Sequence, residues 1–138
     1  IFRELILRMS LNHVIKNSEA IISIEARGFI FGSAISLQAR KPMIVARKPG
    51  KIPGEIFQEN YDLEYGSNSL SIEKEALEKF SSYAIVDDLL ATGGTVDCVA
   101  KLIKKSGKEI TGLLTVVELL ELHGRSKFEF PVETMISI

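Results

Sequence analysis

At 138 residues the chain has room for one domain with a sizeable core and too little for two ordinary ones. Its 46% hydrophobic and 25% charged residues match a globular composition, and a formal charge of −1 supplies no bulk attraction for nucleic acid, which would need a local basic patch. One cysteine, Cys98, excludes an internal disulfide, and no run approaches the ~18 uncharged apolar residues of a membrane span, so the expectation is a cytoplasmic protein with no membrane partner. Arg3, Glu4 and Arg8 interrupt the apolar N-terminus, which argues against a signal-peptide core, and the lack of an initiator Met is consistent with a fragment.

Phe2, Leu5, Ile6, Met9, Val14 and Ile15 recur at helical spacing and predict one amphipathic helix ending before Asn17 and Ser18. A short buried strand follows at Ala20–Ile24. Past Glu25-Ala26-Arg27-Gly28, the pattern Phe29, Ile30, Phe31, Ala34, Ile35, Leu37 reads as a buried helix that stops before Pro42. Gly28-x-x-x-Gly32 within it reads as a device for close helix packing. Met43–Ala46 is the second strand, and residues 47–54 hold two prolines and two glycines among three cations and so form a loop. Between Glu55 and Glu73 no strong apolar face emerges, which predicts an exposed hairpin or flap turning near Gly66-Ser67-Asn68. Ile72–Phe80 adds a helical turn. The third strand is Tyr83–Val86, a helix opens at Thr95 and runs to about Ser106-Gly107, Ile110–Leu119 is a long apolar strand, and Glu133–Ile138 closes as an edge strand. Alternating strands and helices with no repeat or linker predict an α/β fold, a parallel sheet flanked by helices, with one inserted flap.

Residues 84–95, Ala-Ile-Val-Asp-Asp-Leu-Leu-Ala-Thr-Gly-Gly-Thr, carry the most chemistry. An apolar strand delivers Asp87 and Asp88 to its carboxyl end, where open α/β sheets place ligands. Gly93 and Gly94 can bring N–H groups close to an anion, and the loop opens an electropositive helix terminus. Carboxylates for sugar hydroxyls beside a cradle for phosphate suit a phosphorylated ribose. The loop lacks the Gly-Lys-Ser/Thr ending of a Walker loop and is not a Gly-x-Gly-x-x-Gly turn. The plainer alternative, a strand-to-helix turn in which Asp88 and Thr95 merely cap the helix, explains one polar residue but not two carboxylates and two glycines.

The string Val86–Thr95 resembles the phosphoribosyl-pyrophosphate signature of the type I phosphoribosyltransferases, and in this wording most resembles the adenine-using members. Three further segments fit the same family in order: Ile24–Gly32, Arg47–Glu55 and Tyr61–Gly66. A weaker echo is Glu118-Leu119 through Gly124-Arg125-Ser126-Lys127, and the resemblance spans about three quarters of the chain. It implies the family's parallel sheet with a flexible flap, and transfer of phosphoribose from phosphoribosyl pyrophosphate (PRPP) to adenine, giving AMP and diphosphate, with Mg²⁺ and as a homodimer. Asp87 and Asp88 would accept hydrogen bonds from the ribose hydroxyls, directly or through Mg²⁺, and Ala91, Thr92, Gly93, Gly94 and Thr95 would surround the 5′-phosphate. Glu25-Ala26-Arg27-Gly28 looks like the diphosphate loop, where a non-proline peptide is often cis, and Arg27 is also a candidate for base recognition. Arg47, Lys48 and Lys51 would clamp the leaving diphosphate, one of them across a dimer interface; by themselves they read as a solvated basic loop.

Departure of diphosphate should develop oxocarbenium character, so a flap that excludes water matters. Glu64, with Tyr65 assisting closure, is the candidate for proton transfer at the base, against the plainer reading of one charge on an exposed hairpin. Leu89 supplies apolar surface to the base or is a core leucine. His13 and His123 have no neighbours at metal-ligand spacing, and Cys98 reads as a small buried hydrophobe. The family's longer N-terminal segment, with its Pro-Gly and Phe-Arg-Asp stretch over the adenine, is short or missing here: 24 residues precede Glu25. A transferase for another purine, and a regulator that binds PRPP without catalysis, are the alternatives; the second is disfavoured because no helix-turn-helix or basic stripe accompanies the cradle.

Overall fold

The computed structural model describes residues 1–63 and 66–138. Helices α1 (Phe2–Ser10) and α2 (His13–Lys16) precede strand β1 (Ala20–Ile24), helix α3 (Gly28–Ala39) and strand β2 (Met43–Ala46). The hairpin β3 (Ile56–Leu63) and β4 (Gly66–Glu73) leads through α4 (Lys74–Glu78) to β5 (Ser82–Leu90), α5 (Gly94–Lys105) and β6 (Glu109–Glu118). Two short 3₁₀ turns, Leu120–Leu122 and Gly124–Lys127, then lead to β7 (Val132–Ser137).

Five strands form one sheet in the order β2-β1-β5-β6-β7, every neighbouring pair parallel. The chain moves outward from β1 to β2 on one side and from β5 to β6 on the other. The strand order therefore reverses between β1 and β5, and their carboxyl ends open the crevice in which such sheets bind ligands. Alternation along the strands sorts the core onto two faces. Ala20, Ile22, Ile24, Tyr83, Ile85 and Leu113 pack with Val96, Val99, Leu102 and Ile103 of α5, Leu77 of α4 and Leu70 and Ile72 of β4. Ile21, Ala84, Val86 and Leu114 pack with Ile6, Met9, Val14, Ile15 and Ile35 from α1 to α3.

The fold class predicted from sequence is observed, with differences that have physical causes. The single N-terminal helix is two, because the Asn12 side chain accepts the Val14 N–H at 2.9 Å and starts a new helix. β5 runs four residues past Val86, and Asp87 and Leu89 still align with Thr115 and Val117 of β6, so the carboxylates lie within the last turns of the pleat rather than beyond it. Gly66, Ser67 and Asn68, where the turn is expected, instead lie in β4, paired with Leu63, Asp62 and Tyr61 of β3. It also has an apolar face that neither strand shows alone: pairing aligns Phe57 with Ile72 and Glu59 with Leu70, and Leu70 and Ile72 are buried in the core. The face packs beside α5, where the Cys98 thiol donates to the Glu59 carbonyl at 3.1 Å and Lys105 pairs with the Glu59 carboxylate.

Helix α3 is not wholly buried, since Ile30 and Leu37 are 58% and 83% exposed. Its glycines meet the sheet instead of another helix. A Cβ on Gly32 would lie 2.2 Å from Ser23 Oγ, and one on Gly28 2.8 Å from Asp87 Oδ1. No helix among the described residues is long and apolar enough to cross a membrane.

Candidate active site

At the carboxyl end of β1 the chain turns through Glu25-Ala26-Arg27 into α3, and the Glu25–Ala26 peptide is cis, as the resemblance implied for this loop. The Ser23 hydroxyl donates to the Gly28 carbonyl at 2.7 Å, tying strand to helix beneath the loop. From β5, Asp87 and Asp88 rise on the other wall. With Ile24, Glu25, Ala26, Arg27, Leu89 and Thr95 they line a cleft of about 300 Å³.

The two carboxylates differ in setting. Asp87 is 7% exposed, and burial pushes its carboxyl up to about 8, while its Oδ1 accepts the Asp88 N–H at 2.8 Å. Burial also pushes Asp88 up, but the hydrogen bond from Arg27, with Nε 2.5 Å from Asp88 Oδ2, together with the Asp87 contact carries it below the usual carboxylate value. Arg27 is itself raised, first by that hydrogen bond and then by the Asp88 charge. Its side chain is 75% exposed and reaches across the mouth of the cleft from one wall to the other.

The segment from Ala91 to Gly94 crosses from β5 to α5. Gly93 takes φ +89°, a left-handed conformation that side chains other than glycine rarely adopt, and its carbonyl accepts the Asp97 N–H at 2.9 Å. No side chain caps α5. The plain capping reading of Asp88 and Thr95 is therefore not what is observed, and the first-turn N–H groups point out of the helix toward any anion placed there. Thr92 is exposed and Thr95 half-buried.

Arg47 leaves the end of β2 and donates through Nε to Glu25 Oε1 at 2.9 Å, with its guanidinium 5.9 Å from the Phe29 ring centre. It is thus held to the Glu25–Gly28 turn. Lys48 and Lys51 are exposed on the following loop and do not line the cleft. Leu89 is half-buried on its wall. Glu64 and Tyr65 lie outside the described residues.

Contacts from the segment after β6 escaped the motif reading. A Cβ on Gly93 would come within 3.1 Å of the Phe128 ring, and one on Gly124 within 2.3 Å of the Ala91 carbonyl oxygen, so residues 124–128 form the back of the 91–95 loop. The signal was present in the weak Glu118 to Lys127 echo, but nothing in its composition said which loop it would touch.

A parallel sheet whose strand order reverses at two neighbouring carboxyl ends, with an acidic pair on one strand and an anion-ready loop after it, defines a phosphoribosyltransferase. The chain matches the phosphoribosyl transferase domain model over residues 2–135 and belongs to that family. It is 69% identical over 137 residues to an adenine phosphoribosyltransferase of Prochlorococcus marinus (strain MIT 9515), covering 99% of this chain and 80% of that enzyme. The crystal structure of adenine phosphoribosyltransferase from Thermoanaerobacter pseudethanolicus superposes with TM-score 0.90 at 38% identity, covering 99% of this chain and 80% of that one. The Saccharomyces cerevisiae enzyme, complexed with an iminoaltritol bisphosphate and adenine, gives TM-score 0.87 at 33% identity over 97% and 78% of the two chains.

Proposed function

We propose that this protein transfers the 5-phosphoribosyl group of PRPP to adenine, releasing AMP and diphosphate, a reading supported by relatives that bear the name adenine phosphoribosyltransferase. The observation that carries this reading is the single cleft lined by Glu25, Ala26, Arg27, Asp87, Asp88 and Thr95. Two strands bring a diphosphate loop and a phosphoribose loop to face each other there.

In the reaction the bond between the anomeric carbon and diphosphate breaks, the bond from adenine N9 to that carbon forms, and the N9 proton leaves. Asp87 and Asp88 accept hydrogen bonds from the ribose hydroxyls, which orients the ring and favours positive character at the anomeric carbon. The N–H groups of residues 91–95 and the Thr92 and Thr95 hydroxyls hold the 5′-phosphate at the start of α5. The Glu25–Gly28 loop, with Arg47 held to it by Glu25, receives the diphosphate, and Lys48 and Lys51 add charge as the product forms. Arg27 must release Asp88 when ribose enters. It then stands free at the mouth to meet diphosphate or the base edge, beside the apolar surface of Leu89. Glu64 takes the base proton and Tyr65 assists closure of the hairpin against water.

Among the described residues no group of three His, Cys, Asp or Glu side chains is placed to hold a metal alone. Asp87 and Asp88 offer hard oxygen donors of the kind Mg²⁺ uses together with phosphate oxygens, so the residues fit an ion that arrives with the substrate. Bound there, it would neutralise charge on the departing diphosphate. The proposal includes a homodimer, supported by the exposed apolar Ile30 and Leu37 on α3, and a cytoplasmic setting, supported by a free Cys98 as the chain's one cysteine.

Incubation with adenine, PRPP and Mg²⁺ should yield AMP and diphosphate. Nucleotide from hypoxanthine or guanine in place of adenine would move the acceptor to another purine. PRPP binding with no nucleotide from any purine would refute the transferase and leave a PRPP-binding regulator.

A further inference from the structure

The reaction as described makes no use of a strong polar contact between Glu118 at the end of β6 and Arg125 in the second 3₁₀ turn. Arg125 Nε lies 2.7 Å from Glu118 Oε2 and Nη2 lies 2.5 Å from Oε1, a two-pronged pair. The Glu118 side chain is 2% exposed, so removing Arg125 leaves a buried carboxylate without its match. The same guanidinium reaches the Val132 carbonyl through Nη1 at 3.4 Å. One residue before Arg125 stands Gly124, whose missing Cβ would sit 2.3 Å from the Ala91 carbonyl oxygen, and three residues after it stands Phe128, against Gly93. Glu118 is also aligned with Leu90, and the Leu119 N–H donates to the Leu90 carbonyl at 2.9 Å. The ion pair thus anchors, at both ends, the segment that backs the loop from Ala91 to Gly94.

We propose that Glu118 and Arg125 are positioning residues that, through Gly124 and Phe128, set the shape in which the 91–95 loop binds the 5′-phosphate, an inference that rests on the transferase reading of that loop. A hydrogen-bonding cradle tolerates little displacement, because each N–H must aim at a phosphate oxygen at about 2.7–3.1 Å. Backing the loop with a glycine at van der Waals contact and an aromatic ring leaves it no room to retreat. An ion pair that served only to hold the fold together would, when broken, lower stability without favouring one substrate over another.

The experiment compares Gly124→Ala, Arg125→Ala and Arg125→Lys with the wild type in two measurements. Ribose 5-phosphate binding is followed by calorimetry, and KM values for AMP and for diphosphate are taken in the reverse reaction. Gly124→Ala and Arg125→Ala are expected to weaken ribose 5-phosphate and raise the KM for AMP about tenfold or more, while the KM for diphosphate, bound on the opposite wall, stays within about twofold. Arg125→Lys, which keeps the charge but not the fork, should fall between. If Gly124→Ala does not fold, Arg125→Lys carries the same test. Folded variants that bind ribose 5-phosphate as the wild type does, or losses shared equally by AMP and diphosphate, overturn the proposal. A wild type that binds ribose 5-phosphate but makes no AMP refutes the transferase alone, and the calorimetric comparison still decides whether the back segment sets the loop.

Discussion

Substituting Gly32 by alanine tests how tightly α3 is pressed onto β1 beneath the cleft. The added Cβ would lie 2.2 Å from Ser23 Oγ, 2.6 Å from Ser23 Cβ and 3.2 Å from Met43 Sδ, and the first two distances are too short for any packed structure. Turning the Ser23 hydroxyl aside is not enough, because its Cβ remains in the way. Turning it also breaks its 2.7 Å bond to the Gly28 carbonyl inside the protein. Overpacking of this kind costs about 1–3 kcal/mol, and leaving the buried Ser23 hydroxyl without its partner costs about 1–3 more. The gain in helix propensity from glycine to alanine returns about 1 kcal/mol. A net loss of about 1–5 kcal/mol is expected, read as a lower midpoint in urea unfolding with unchanged slope. Ser23→Gly removes both obstructing atoms, so the double variant Ser23→Gly/Gly32→Ala should recover part of the loss that Gly32→Ala suffers alone. A Gly32→Ala protein as stable as the wild type, or a double variant showing no coupling, would refute the reasoning.

Other outcomes follow from the site. Thr95→Ala should weaken AMP by about 1–3 kcal/mol, the range for a hydrogen bond to a charged group, and unchanged AMP affinity in a titration would remove Thr95 from the cradle. Glu64→Gln should slow turnover while AMP binding is nearly retained; equal turnover would leave Glu64 a surface charge. The Asp87 carboxyl is raised from 3.8 to about 8 in the native protein, so its contribution to stability is fully present below 3.8 and is lost as pH rises through about 8. Asp88, lowered, has the opposite sign and acts below the usual carboxylate range. Between about pH 5 and about pH 7 the ligand-free wild type should therefore lose stability relative to Asp87→Asn, by at most about 1.4 kcal/mol per pH unit. Parallel profiles in chemical denaturation would show that Asp87 is ionised throughout.

Much of the fold was legible because burial writes itself locally. Ala20–Ile24 and Met43–Ala46 are short apolar runs bounded by polar or proline positions, and both are strands at the predicted residues. Asn12 was a readable cap, yet the apolar spacing of Val14 and Ile15 continued that of α1 closely enough to mask the break. The hairpin was harder. Phe57, Leu70 and Ile72 are too sparse to mark a buried face until pairing stacks them, and pairing is not written in either strand alone. Leu37 shows the reverse error, an apolar residue at helical spacing that remains 83% exposed.

What the sequence determined by itself is the chemistry: an acidic pair, a glycine-rich hydroxyl loop, a short Glu25–Gly28 turn and nearby cations, each set by residue types within a few positions of one another. The folded chain decided their relations. It placed Arg27 on Asp88 across 61 residues, drew Arg47 onto Glu25, and set Gly124 and Phe128 behind Ala91 and Gly93. It also separated two adjacent aspartates into one carboxyl raised to about 8 and one lowered. Neighbouring residues on a strand point to opposite sides of the sheet, so identical side chains one position apart meet different surroundings, and only the packing of α3 against β5 determines which one loses its water.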